Sequence, residues 1–217
     1  KIQQRALEAA KIEQKLQEAR LELALHQIKP HFLQNALMSI KVLCRTRPKE
    51  AEQAVYDFAV FLRGNMNALE SAEMIPFREE CKTIERYLHI EKIRFGERLQ
   101  VQWDLQEEKF RIPPLTIQPL VENAVCHGIC QKMEGGTVQI RSFRKNGEIC
   151  VQILDDGAGF DTEKLKDADG IAIRNLKLRL KEFLNADLEI ESRKGEGCRQ
   201  TIHIPWEETD DENYSDR

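Results

Sequence analysis

The sequence predicts an α+β fold in which long helices come first and a layer of strands and helices follows. From Lys1 to about Arg45 the chain has no glycine, and helix-forming residues such as Ala, Leu, Glu and Lys dominate. From about Glu97 to Trp206, short alternating or apolar runs are typical of strands: LQVQWDL, TVQIRSF, EICVQIL, LEIESR and QTIHIP. Two segments between these runs have helical periodicity, so we expect helices packed on a sheet. Residues 207–217 are predicted to be a disordered acidic tail.

The composition excludes several classes of protein. The chain has 217 residues, and 33 Lys and Arg against 37 Asp and Glu give a net charge of −4, so no strongly basic surface would recruit nucleic acid. No apolar run approaches the roughly 18 residues that a membrane helix needs, and no signal peptide opens the chain. Cys126, His127 and Cys130 have no second ligand pair, which favours reduced thiols over zinc. Because Lys1 is not a methionine, we expect a piece of a longer protein.

The first predicted helix carries a heptad repeat, which requires a partner helix. The repeat consists of Ala9, Ile12, Leu16, Ala19, Leu23, His26, Pro30, Leu33, Leu37, Ile40 and Cys44. We expect residues 1–24 to form a coiled-coil signalling helix. Pro30 lacks an amide hydrogen, so the helix should kink beside His31. His31 falls one position past the seam, and its imidazole should therefore project from the bundle.

A helical hairpin and a third helix are predicted next. Pro48 predicts a turn, and a second helix follows at about Glu50–Leu69. Its apolar face is Ala54, Phe58, Phe61, Leu62 and Met66. Two such hairpins would form a four-helix bundle across a homodimer, so we expect residues 25–75 to be a dimerisation domain. Residues 76–96 are predicted to be a connector helix. Its apolar positions are Phe77, Cys81, Ile84, Leu88 and Ile93.

The predicted helix PLTIQPLVENAVCHGI carries polar side chains that suit a metal and phosphate. Asn123 and His127 are four residues apart and share one helix face, with Glu122 beside them. Mg²⁺ prefers oxygen ligands, which suits the amide oxygen of Asn123, and His127 would then be near phosphate. Taken alone, a solvated helix surface explains these residues better.

Three glycine clusters favour a functional site over a merely solvated helix surface. In LDDGAGF, Asp155 ends an apolar strand and Gly157 and Gly159 follow, so a carboxylate there can accept a hydrogen bond from an exocyclic amino group. Gly170 begins a helix whose free amides suit phosphate, with Arg174 nearby. KGEGC adds a glycine turn between two strands. Each cluster alone also fits an ordinary turn, but the three together indicate a nucleotide site.

The motifs occur in the order PHFLQN, PLVENAVCHG, DDGAGF, GIAIRNL and GEGC, which resembles the H, N, G1, G2 and G3 boxes of bacterial sensor histidine kinases. The histidine motif resembles the HPHFLFN version, and the match covers nearly all of Leu16 to Pro205. The resemblance implies a GHKL-type α/β sandwich at 97–206 that binds ATP and Mg²⁺. It also implies a homodimer, a response regulator that receives the phosphoryl group on an aspartate, and a cytoplasmic location with membrane segments upstream of Lys1.

The resemblance also assigns roles to single residues. His31 matches the autophosphorylated residue, Asn123 the Mg²⁺ ligand, and Asp155 the aspartate that reads adenine. The other residues expected to bind the nucleotide are His127, Gly157, Gly159, Gly170, Arg174 and Asn175. Glu122 is a candidate proton acceptor, although Phe32 follows His31 where other kinase classes carry an acid, so the sequence does not name the base.

Departures from the family pattern leave a second interpretation open. Gln34 stands where the family usually has an aromatic residue, Ala172 replaces the second lid glycine, and Cys198 replaces a threonine. Because the Cβ of Ala172 would crowd amides that face phosphate, the chain could be a dimeric ATP-binding scaffold without kinase activity. A third interpretation is another enzyme on the same ATPase fold, such as a chaperone, a DNA repair ATPase or a serine kinase. KPHFLQN argues against it, because those proteins lack a proline-histidine motif on a preceding helix.

Overall fold

A computed structural model describes residues 30–70, 73–161 and 171–206. The chain divides into two compact units, Lys1–Ala72 and Glu73–Arg217. The predicted signalling helix at 1–24, the lid residue Gly170 and the acidic tail at 207–217 lie outside the described residues.

The first unit contains a helical hairpin of α1 (Pro30–Thr46) and α2 (Pro48–Glu70), separated by Arg47. The amide of Arg47 donates to the carbonyl of Leu43 at 2.8 Å, which closes the end of α1. The buried residues of α1 lie three or four positions apart: Phe32, Ala36, Ile40 and Leu43. The Phe32 ring lies 5.3 Å from the ring of Phe61 and 6.3 Å from that of Phe58. These contacts form the core of the hairpin.

The buried seam of the hairpin differs from the predicted heptad track. Leu37, predicted to lie in the seam, is 57% exposed, and Met66 of α2 is 38% exposed. The buried residues of α2 are Ala51, Ala54, Asp57, Phe61 and Asn65. Two helices within one chain bury only a narrow stripe, so the remaining apolar positions stay on the surface.

The second unit contains a mixed five-stranded sheet whose strands the sequence predicted. The strands are β2 (Leu99–Leu105), β4 (Gly136–Lys145), β5 (Glu148–Asp155), β6 (Asp187–Arg193) and β7 (Gly197–Pro205). Their order is β2-β4-β5-β7-β6, with β2 and β4 parallel and the other pairs antiparallel. A small antiparallel pair, β1 (Ile75–Pro76) and β3 (Arg111–Ile112), was not predicted, because two-residue strands carry no periodic signal.

Three helices belong to the same unit as the sheet: α3 (Phe77–Phe95), α4 (Gln118–Asn123) and α5 (Ile171–Leu184). On one face of the sheet the central strands are buried, since Ile140, Ile153 and Ile202 each have no exposed surface. Side chains alternate along a strand, and the positions next to these are mostly half-exposed. The architecture is therefore α+β, as the sequence predicted.

Helix α3 has the predicted bounds but is an integral part of the sheet's unit. Phe77 stacks on Phe110 at 4.5 Å, and Tyr87 is 1% exposed. Of its predicted apolar positions, Phe77, Cys81, Ile84 and Leu88 are buried. Ile93 is half-buried. The structure thus includes the predicted connector, residues 76–96, in the same compact unit as the sheet.

The helix predicted over residues 114–129 is shorter and changes type. Helix α4 ends at Asn123, a π-helical turn covers Ala124–Gly128, and a 3₁₀ turn covers Ile129–Gln131. Leu115, three residues before α4, has a left-handed φ of +58°, which prevents an earlier start. A π-helical turn pairs residues five apart, so the four-residue spacing of Asn123 and His127 does not by itself place them on one face.

Candidate functional site

Asp155 is a buried carboxylate at the end of β5, 7% exposed. Its Oδ1 accepts a hydrogen bond from the amide of Gly157 at 3.0 Å, and the backbone of Cys198 also donates to it. Burial raises the pKa of Asp155 to about 6, and the two amides oppose this effect. A carboxylate held in this way can accept a hydrogen bond from a ligand's amino group.

The segment after Asn123 packs directly against Asp155. A Cβ on Gly128 would lie 2.4 Å from Asp155 Oδ1, and a Cβ on Gly157 would lie 2.3 Å from the backbone of Gly128. The amide of Ala158 donates to the carbonyl of Gly128 at 3.1 Å. The structure therefore brings the motifs VENAVCHG and DDGAGF together, and only glycine fits at both contact points.

The glycine turn of GEGC packs against the strand end that carries Asp155. Gly197 has φ +86°, and a Cβ there would lie 1.9 Å from the carbonyl oxygen of Asp155. Gly159 has φ +57°, and a Cβ there would lie 2.0 Å from the carbonyl oxygen of Arg193. The predicted glycine motifs of DDGAGF and GEGC are thus in backbone contact, and both left-handed residues require glycine.

The remaining predicted residues lie on the helices. Asn123 and Glu122 are half-buried at the end of α4, and Glu122 Oε1 accepts a hydrogen bond from Gln118 at 2.9 Å. His127 is exposed in the π-helical turn. Arg174 and Asn175 are exposed in the first turns of α5.

Sequence reasoning missed two polar groups at this edge of the sheet. Asp156 Oδ1 accepts a hydrogen bond from the amide of Thr137 at 2.7 Å, and Lys132 Nζ donates to the carbonyl of Asp156 at 2.7 Å. The second aspartate of LDDGAGF was a sequence signal that could have identified Asp156. Nothing in the local sequence marked Lys132, because it is 24 residues from its partner.

His31 lies in the first turn of α1 and is exposed, while its neighbour Phe32 is buried. The amide nitrogen of Asn35 lies 3.1 Å from Nδ1 and 3.2 Å from Nε2 of His31. The packing of Phe32 thus directs the imidazole away from the hairpin seam, as the sequence predicted. Asn35 is an additional contact that the sequence did not single out.

A second cluster, Glu148, Cys150 and His203, lies on the other face of the sheet. His203 Nδ1 lies 3.0 Å from Glu148 Oε2, His203 Nε2 lies 3.5 Å from Glu189 Oε2, and Cys150 Sγ lies 3.9 Å from His203 Nδ1. Each nitrogen of the imidazole therefore faces a carboxylate.

Two known families match successive parts of the chain. A histidine kinase family matches residues 19–99, and the family of histidine kinase-, DNA gyrase B- and HSP90-like ATPases matches residues 114–208. The chain belongs to the bacterial sensor histidine kinases. Its second unit is the GHKL-type ATPase domain of that family, with the buried aspartate and the converging glycine loops described above.

Individual relatives support this assignment. The chain is 36% identical over 203 residues to the uncharacterized protein YwpD of Bacillus subtilis strain 168, covering 89% of this chain and 73% of YwpD. It is 31% identical over 204 residues to the sensor protein LytS of Bacillus cereus, covering 88% of this chain and 34% of LytS. This chain thus spans about a third of the length of LytS.

The fold also matches a solved structure. The histidine kinase domain of the blue-light activated histidine kinase of Erythrobacter litoralis EL346 aligns with a TM-score of 0.51 at 15% identity, covering 87% of this chain and 98% of that one. At this identity the match shows the shared fold. Within the described residues, no helix is long and apolar enough to cross a membrane.

Proposed function

We propose that this chain is the kinase portion of a two-component sensor, which transfers the γ-phosphoryl group of ATP to His31. The observation that carries the proposal is the convergence of three glycine segments on the buried carboxylate of Asp155. A small cradle with a buried acceptor and little side-chain bulk suits a purine nucleotide. An exposed histidine on a helical hairpin in the same chain suits a phosphoryl acceptor.

Each end of ATP has residues suited to it. Asp155 accepts a hydrogen bond from the exocyclic amino group of adenine, and Gly157 and Gly159 let the backbones of Gly128 and Arg193 pack closely beside this strand end. The amide oxygen of Asn123 is a hard donor that suits Mg²⁺, which neutralises phosphate charge when bound. The residues proposed to lie near the phosphates are His127, Gly170, Arg174 and Asn175.

His31 is the nucleophile in the proposed reaction. One neutral ring nitrogen attacks the γ-phosphorus, a nitrogen–phosphorus bond forms, and the bond to the leaving oxygen of ADP breaks. The other ring nitrogen then releases its proton to a base. Glu122 is our candidate base, and the hydrogen bond from Gln118 holds one of its oxygens. Asn35 limits the rotation of the imidazole.

The surface of the hairpin supports a homodimer. Five large apolar side chains of α1 and α2 are at least half exposed: Leu37, Met38, Val42, Val55 and Tyr56. Large apolar side chains exposed in this number on one hairpin are typical of an interface, and a second hairpin would complete a four-helix bundle. We further propose that an aspartate of a response regulator receives the phosphoryl group, and that upstream segments attach this cytoplasmic portion to a membrane.

The test is incubation with γ-labelled ATP and Mg²⁺. We expect label that is acid-labile and alkali-stable, and we expect its loss in His31→Gln and in Asn123→Ala. His89→Gln, another exposed histidine, is the matched control and should retain the label. If ATP binds but neither the wild type nor any variant is labelled, the chain is a nucleotide-binding scaffold. Ala172→Gly then becomes the next variant to test.

A further inference from the structure

Helix α4 begins on a carboxylate that another helix supplies. Glu80 of α3 is 2% exposed, and its Oε1 accepts hydrogen bonds from the amides of Ile117 and Gln118, the latter at 3.1 Å. The backbone of Thr116 also donates to Glu80. The first amides of a helix have no partner within the helix, and a carboxylate there satisfies them and interacts favourably with the helix dipole.

Helix α4 has no other cap of this kind. No side chain at its N-cap residue forms a capping bond, and its first turn contains no acidic residue. The helix has only six residues, so its start determines where its end lies. Asn123 follows Gln118 by five residues, about 7.5 Å along the helix axis. A change at Glu80 would therefore move the amide that is proposed to hold Mg²⁺.

Arg179 connects α5 to the same point. Its guanidinium donates to the carbonyl of Pro114, just before α4, and it attracts the Glu80 carboxylate electrostatically. Arg174 and Asn175 lie one turn earlier on α5. Glu80 and Arg179 thus connect the beginning of α4 to α5. That helix also carries Arg174 and Asn175, which are proposed to lie near the phosphates.

The carboxylate at position 80 carries a desolvation cost that its contact with α4 offsets. Among the described residues, Glu80 Oε2 has no hydrogen-bond partner. Burial raises the pKa of Glu80 to about 7, although the amide hydrogen bonds and Arg179 oppose this effect. An apolar side chain would avoid the desolvation cost of a buried acid. What it would lose is the fixed contact with the first amides of α4.

We propose that Glu80, together with Arg179, is a positioning residue that places Asn123 for Mg²⁺-dependent nucleotide binding. The inference rests on the proposed ATP and Mg²⁺ site. Groups that orient a metal ligand without touching the metal typically contribute about 10-fold to about 100-fold to metal affinity, and we expect an effect of that size here.

The test measures binding of a non-hydrolysable ATP analogue to the full chain by calorimetry, with and without Mg²⁺. In Glu80→Met, which removes the acceptor oxygen, we expect the gain in affinity from Mg²⁺ to fall about 10-fold or more, while affinity without Mg²⁺ stays unchanged because Asp155 still binds adenine. Glu79→Met is the matched control: it makes the same replacement at the neighbouring exposed position and should keep the full gain.

Two results would overturn the proposal. Equal loss of affinity with and without Mg²⁺ would show a merely structural role, and no loss at all would show that Glu80 does not position Asn123. Should Glu80→Met fail to fold, Arg179→Lys replaces it: a reduced Mg²⁺ gain supports the proposal, and an unchanged gain contradicts it.

Hydrogen exchange separates this proposal from the proposed function. If the wild-type chain does not bind the analogue, the proposed function fails independently of Glu80. Faster exchange at Ile117, Gln118 and the rest of α4 in Glu80→Met, with unchanged exchange in β4, would still support control of α4 by Glu80. Unchanged exchange in α4 would contradict that control.

Discussion

Gly128 and Asp155 lie so close together that a Cβ on Gly128 would be 2.4 Å from the carboxylate oxygen Oδ1. The contact joins the segment that follows the proposed Mg²⁺ ligand to the strand end that is proposed to bind adenine. Since Gly128 has φ −87°, the backbone itself would accept any residue, and the restriction is purely steric.

Gly128→Ala should therefore disrupt the nucleotide site. The added methyl group must displace the Asp155 carboxylate or the backbone, at a cost of about 1–3 kcal/mol in the free energy of unfolding. We expect loss of ATP binding by calorimetry and a lower midpoint in denaturant unfolding. Gly147→Asn is the control, because Gly147 has open space around it and Asn tolerates its φ of +76°. Unchanged ATP affinity in Gly128→Ala would contradict the observed contact.

Nucleotide affinity should depend on pH through Asp155. Its pKa is raised from 3.8 to about 6, chiefly by burial, with Asp156 adding to the effect and Lys132 opposing it. The ionised carboxylate is the better acceptor for the adenine amino group, so ATP affinity should fall as the pH drops below about 6. Asp155→Asn should bind ATP weakly and show no such fall, whereas Asp187→Asn, at an exposed position, should behave as wild type.

The raised pKa of Asp155 also predicts that the free energy of unfolding depends on pH in the opposite direction to nucleotide affinity. Because the pKa of Asp155 is higher in the folded than in the unfolded chain, the folded state holds the proton more tightly between about pH 4 and pH 6. The contribution of Asp155 to the free energy of unfolding is then greatest at low pH and is lost as the pH rises through 6. Denaturant unfolding of wild type and Asp155→Asn across this range measures the difference, and parallel curves would argue against the raised pKa.

Asn35 should affect phosphorylation without affecting nucleotide binding. Its amide nitrogen lies within 3.2 Å of both ring nitrogens of His31, and a hydrogen bond of this type is worth about 1 kcal/mol. We expect Asn35→Ala to slow labelling of His31 roughly fivefold, the rate equivalent of that energy. Gln34→Ala, at the exposed neighbouring position, should not slow it. Equal labelling rates in the wild type, Asn35→Ala and Gln34→Ala would show that Asn35 does not contribute to phosphorylation of His31.

Leu37 should contribute to the proposed homodimer. Its side chain is 57% exposed on the hairpin, and burial of a leucine contributes about 1.5 kcal/mol or more. Two copies per dimer would make about 3 kcal/mol, so Leu37→Glu should raise the dissociation constant roughly 100-fold. Sedimentation equilibrium measures this change, with Lys92→Glu, at an exposed position of α3 outside the hairpin, as the control. A dimer that survives Leu37→Glu unchanged would exclude this surface as the interface.

Local patterns predicted the elements of the second unit closely. LQVQWDL coincides with β2, and FREECKTIERYLHIEKIRF coincides with α3. Alternation and helical periodicity are properties of neighbouring residues, so each can be recognised without knowing the fold. The heptad track was less informative, because it cannot show which apolar residues a helix buries within its own chain and which remain for a partner. Leu37 and Ile40 have similar patterns, yet only Ile40 is buried in the hairpin.

By itself, the sequence determined the family, the order of the elements and the chemical groups of the site, because motif spacing and periodicity are encoded locally. Only the tertiary structure decided that Gly128 contacts Asp155, that a π-helical turn follows Asn123, and that Glu80 caps a helix beginning 38 residues later. These features arise from close packing and from partners for backbone amides. Such requirements are met between segments far apart in the chain, where no local pattern records them.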